Sequence, residues 1–73
     1  MTWDDASTAT YMAESTTIGK NLVTVCLDDE GPIRPAYYWE IADRFGYRLA
    51  DGWAGTVARA RRDSVAYARK WLA

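Results

Sequence analysis

Residues 36–55 read AYYWEIADRFGYRLADGWAG, and the fold turns on whether the first eight of them form a strand or a helix. As a strand they place Tyr37, Trp39 and Ile41 on one face and Tyr38, Glu40 and Ala42 on the other, the period-two alternation of a half-buried sheet. As a helix they have Pro35 near the start and Gly46 just past the end. The choice matters for function. Six of the chain's ten aromatic residues (Tyr37, Tyr38, Trp39, Phe45, Tyr47 and Trp53) fall within seventeen positions here, as either core or binding surface.

The helical reading makes EIADRFG the first helix of a helix-turn-helix. Two features favour the strand. Tyr-Tyr-Trp is a strand-forming triplet, and the next helical pattern starts about ten residues beyond Gly46, against a turn of roughly 3–4 residues in that motif. On the strand reading DRFG turns the chain, and YRLADGW returns antiparallel with Tyr47 and Leu49 on one face. Gly52 then allows a bulge or a second turn.

Upstream, NLVTVCL (residues 21–27) is a β-branched, mostly apolar strand bounded by IGKN and DDEGP. Residues 10–17 alternate weakly, so the two segments form a hairpin closed by IGKN. DDEGPIRP (residues 28–35) is a connecting loop, because Gly31 and two prolines break both ladder and helix. Residues 1–9, polar apart from Trp3 and without periodicity, read as a loose arm.

Downstream, Thr56 is a suitable N-cap, and no Gly or Pro interrupts residues 57–72. At about 100° per residue, Val57, Ala58, Ala60, Ser64, Val65, Tyr67, Ala68, Trp71 and Leu72 fill one half-circle. Arg59, Arg62, Asp63, Ala66, Arg69 and Lys70 fill the other. Arg61 falls inside the apolar arc, where it must snorkel or pair with an acid. An isolated sheet of this size does not stand alone, so the apolar half lies on it. The expected fold is therefore α+β: an antiparallel meander of three to four strands with one C-terminal amphipathic helix packed on one face. Residues 10–73 form a single domain.

A chain of 73 residues buries about 60% of the surface its unfolded form exposes. Large side chains compensate, each aromatic burying roughly 150–250 Å². Cys26 is the single cysteine and histidine is absent, which removes intrachain disulfides, the usual zinc and haem ligand sets, and the Ser-His-Asp and Cys-His nucleophiles. Within an apolar strand Cys26 reads as a small buried hydrophobe. The start, MTWDDASTAT, has no basic or apolar signal region, and no run approaches the ~18 apolar residues of a membrane span. A cytoplasmic protein with no membrane partner, no cofactor, no metal and no enzymatic activity is expected.

Gly19-Lys20 is a turn and not the end of a phosphate loop, since that motif needs glycine where Glu14 stands and Ser or Thr where Asn21 stands. Asp28, Asp29 and Glu30 lack the alternating ligand spacing of a calcium loop and read as a solvated turn. The net charge of −1 conceals a polarity: residues 1–30 carry six acids and one base, and residues 31–73 carry four acids and eight bases. Arg59, Arg62, Arg69 and Lys70 on the helix suit phosphates or an acidic protein surface, or form an ordinary solvated face. The acidic first half argues against a dedicated nucleic-acid binder. Tyr38, with Leu22, Ala42, Glu40 and Arg48, lies on the uncovered sheet face, where an apolar-aromatic patch marks a protein interface or a homodimer; stacking on a base is the alternative.

The order Trp39-x-Ile41-x-Asp43-x-x-Gly46-x-x-Leu49-Ala50-x-Gly52-x-Ala54-x-Thr56, followed by a helix with Ala60 and Ala68 inward, resembles a hairpin-then-helix pattern of small proteins of bacterial phages and mobile elements. The resemblance spans the C-terminal half and concerns fold. Some such proteins are anti-CRISPR inhibitors that sit on a host defence complex, and no residue role carries over by position. It implies a non-enzymatic inhibitor of a host complex, with Asp28, Asp29 and Glu30 imitating phosphate or the basic helix docking on an acidic subunit. The alternative is a small nucleic-acid-binding accessory protein using that helix.

Overall fold

Alternation prevails at residues 36–42, which form a strand. In the computed structural model, which describes residues 2–7, 12–28 and 36–72, the elements are β1 (Asp4–Asp5), β2 (Ala13–Ile18), β3 (Asn21–Asp28), β4 (Ala36–Ala42), β5 (Arg48–Ala54) and α1 (Val57–Tyr67). A π turn over Ala68–Leu72 continues α1. The strands make one open antiparallel sheet in the order β1-β2-β3-β4-β5.

The meander thus has five strands where three to four are expected. β1 is the addition: Asp4 and Asp5 pair with Ser15 and Glu14 along the outer edge of β2. A two-residue strand carries no readable period. Its segment is held instead by Trp3, which packs on the margin of the core, and by the buried Thr16 hydroxyl, which donates to the Thr2 carbonyl at 2.6 Å. β2 and β3 are joined through Gly19-Lys20. Gly19, at φ 61°, takes the left-handed conformation that a two-residue hairpin turn of this kind requires of its first residue.

Register sets Val23 opposite Ile41 and Val25 opposite Trp39. These four are buried beneath Ala60, Ser64 and Ala68 of the helix, whose small side chains at i, i+4 and i+8 allow close approach to the sheet. The buried Ser64 hydroxyl donates to the Arg61 carbonyl at 3.0 Å and is not left unpaired. Strict alternation would also put Leu49 in the core. A bulge intervenes: Ile41 lies opposite Ala50 but Ala42 opposite Arg48, so Leu49 is the extra residue. Ala50 packs on the core in its place, and Leu49 is exposed.

Thr56 caps α1 as expected, its hydroxyl accepting from the Arg59 N–H at 3.1 Å. Arg61 resolves its conflict with the apolar arc by pairing with Glu14 of β2 through two hydrogen bonds, with its guanidinium 5.4 Å from the centre of the Trp3 ring. Trp71, placed in the same arc by periodicity, is 64% exposed. It sits in the π turn, whose wider winding changes the angular advance per residue.

Candidate functional site

With the helix on one face of the sheet, the other is left uncovered across β3, β4 and β5. Register lays three rows over it: Cys26, Tyr38 and Trp53; Thr24, Glu40 and Asp51; Leu22, Ala42 and Arg48. Cys26, Tyr38 and Trp53 of the first row and Glu40 and Asp51 of the second, with Leu27, Asp28 and Arg48, frame an open concavity of about 540 Å³.

Its floor is aromatic and its rim is charged. The Tyr38 and Trp53 rings are tilted 54° with centroids 4.9 Å apart, and the Trp53 indole N–H donates to Asp28 Oδ2 at 3.1 Å. The Tyr38 hydroxyl lies 2.9 Å from Asp51 Oδ2 and 3.3 Å from Glu40 Oε2, and it accepts from the Arg48 guanidinium at 3.2 Å. Arg48 is also 3.7 Å from Asp51. A phenol has one proton to give, and the shorter contact marks Asp51 as its acceptor.

Burial pushes the Tyr38 phenol above its ordinary value, with Arg48 opposing and Asp51 and Glu40 reinforcing the shift. Burial likewise raises the Cys26 thiol, aided by the charges of Asp28 and Glu40. Both groups therefore stay protonated near neutral pH. The concavity holds three carboxylates, Asp28, Glu40 and Asp51, and one guanidinium. Among the described residues no three His, Cys, Asp or Glu side chains converge so as to hold a metal ion.

Of the residues expected at a binding site, Asp28 and Tyr38 meet in this concavity; Asp29 and Glu30 lie outside the described residues. Arg59, Arg62, Arg69 and Lys70 are exposed on the helix and its π turn, across the sheet from the concavity. Arg62 reaches Asp63 at 3.4 Å, and Lys70 lies over the Trp71 ring at 5.0 Å. The chain thus presents an acidic sheet face and a basic helix face on opposite sides.

The aromatic block divides between core and surface. Trp39 is buried, Tyr37 and Tyr38 are half-buried, and Trp53 is 49% exposed. Phe45 and Tyr47 stand out from the β4–β5 turn, where Asp43 Oδ1 accepts from both of their backbone N–H groups. Sequence reasoning missed Trp53 and Asp51 as members of the site, and read as buried a Cys26 that is partly exposed. The signal for Trp53 is its pairing with Tyr38 across the hairpin, which emerges once Leu49 is counted as a bulge.

In comparisons with protein-family models, curated proteins and solved structures, nothing matches the chain. Among the described residues no helix is long and apolar enough to cross a membrane.

Proposed function

We propose that the chain is a non-enzymatic binding protein that works by protein–protein contact through the uncovered face of its sheet. The observation that carries this reading is the concavity itself: an aromatic floor of Tyr38 and Trp53 within hydrogen-bonded Asp28, Asp51 and Arg48. Exposed aromatics in an ordered polar frame are the composition of a protein interface. A catalytic reading lacks support, because neither Cys26 nor Tyr38 is shifted toward its reactive anion.

The narrower proposal is an inhibitor of phage or mobile-element origin that blocks a host defence complex. It is supported by the hairpin-then-helix resemblance, and by an acidic face able to occupy a surface built for phosphate. The second reading is a nucleic-acid accessory protein, favoured by the exposed Arg59, Arg62 and Arg69 along one helix. Capture from bacterial lysate on the immobilised protein, with and without nuclease, separates the two. Retention of a defined protein complex after nuclease is the expected result. Loss of all retained material on nuclease treatment, with affinity falling steeply as salt rises, would give the chain to nucleic acid.

A further inference from the structure

We infer that the sheet-face concavity receives a guanidinium group, an arginine side chain presented by the protein partner. This rests on the uncovered face being the binding surface and adds the chemistry of what it binds. Charge is the first argument: three carboxylates border the concavity against the single cation of Arg48, so an incoming cation is favoured and an incoming anion is repelled. The second is the hydrogen-bond inventory. With the Tyr38 proton given to Asp51 at 2.9 Å, Glu40 faces a phenol oxygen at 3.3 Å that has no proton left for it, so its carboxylate offers acceptor positions to a new donor.

Carboxylates alone would not select arginine; the aromatic floor does. Trp53 is half exposed beside those acceptors, and indole is the ring that holds a cation best. A planar guanidinium stacks on a ring while its fork of N–H donors meets carboxylates edge-on, whereas an ammonium offers a point charge and no plane. The same combination occurs elsewhere in the molecule, where Arg61 forks onto Glu14 and lies over Trp3. Among the described residues no three His, Cys, Asp or Glu side chains converge as metal ligands, so the spread carboxylates suit a guanidinium fork better than a metal ion.

The test is a titration of the intact, ¹⁵N-labelled protein, followed through the Trp53 indole N–H and the amides of Glu40 and Asp51. The probes are an acetylated Gly-Arg-Gly amide, its lysine and citrulline counterparts, a single-stranded oligonucleotide, and the protein itself over a concentration series. Saturable shifts with the arginine peptide, weaker ones with lysine and none with the uncharged citrulline are expected. In the E40Q/D51N variant the arginine affinity should fall about tenfold, as for loss of charge-assisted contacts, with the rest of the spectrum unchanged. Equal response to citrulline, or no saturable shift at Trp53, overturns the inference. So does a response to the oligonucleotide or to self-association in place of the peptide. If peptides fail while lysate capture still depends on this face, the guanidinium is wrong and the binding face stands. If capture fails while the arginine titration succeeds, the guanidinium site stands and the reading of the chain as a protein-binding protein falls.

Discussion

At Gly52 the absence of a side chain is a packing requirement, because a Cβ there would lie 2.7 Å from the ring of the buried Trp39. Gly52→Ala must therefore displace an indole seated among Val25, Ile41 and Ala54, and we expect a loss of about 1–3 kcal/mol in urea unfolding, the usual range for overpacking. An unchanged midpoint would mean that the ring moves freely. Cys26 and Tyr38 make a second residue-scale expectation. Both hold their protons more tightly folded than unfolded, so between the ordinary and the raised value the unfolded chain binds fewer protons. Their contribution is intact below their ordinary values of 9.0 and 10.0 and is lost as pH rises through the raised ones. Urea midpoints should accordingly fall above pH 9, and Tyr38→Phe should weaken the upper part of that fall. Alkylation of Cys26 at neutral pH should be slower than that of free cysteine, because less thiolate is present.

Element by element, what was legible follows from period. β3, β4 and α1 could be read because Val23 and Val25, Trp39 and Ile41, and Ala60 with Ala68 repeat at the spacing of their own secondary structure. Thr56 was legible as a cap from its chemistry, and Thr56→Ala should cost about 1 kcal/mol in thermal or urea unfolding, through the lost acceptor for the Arg59 N–H. β1 was not legible, since two aspartates hold no period and their strand depends on contacts made by Trp3 and Thr2. The bulge was read at the wrong place, Gly52 being taken to allow a bulge or a second turn while the extra residue is Leu49: Leu49 is as good a core residue as Ala50 on composition, and their exchange is decided by hairpin register. That one slip hid the candidate site, because strict alternation groups Trp53 with Tyr47 and Leu49 instead of Tyr38. Of the acidic stretch, Asp28 ends β3 and borders the concavity, and Asp29 and Glu30 lie outside the described residues.

On the scale of the whole molecule, charge is sorted by surface and not by half of the chain, since Glu40 and Asp51 of the acidic sheet face come from the basic half. Glu14 of the acidic half and Arg61 of the basic half pair at the helix–sheet junction. Beyond it, the sheet face gathers Asp28, Glu40 and Asp51, and the helix face carries Arg59, Arg62 and Arg69. A second copy could not lay its own acidic sheet face on this one without opposing like charges, so sedimentation at micromolar concentration should give a monomer; a stable dimer abolished by Trp53→Ala would assign the face to self-association. The central claim is that the sheet face, and not the helix, meets the partner. Its most direct test is nuclease-treated lysate capture on three immobilised proteins: the unaltered chain, the E40R/W53A variant and the R59A/R62A/R69A variant. We predict one defined set of proteins retained by the unaltered chain and by the helix variant, and lost from the sheet-face variant. Retention by the sheet-face variant with loss from the helix variant would contradict the claim and give the working surface to the basic helix.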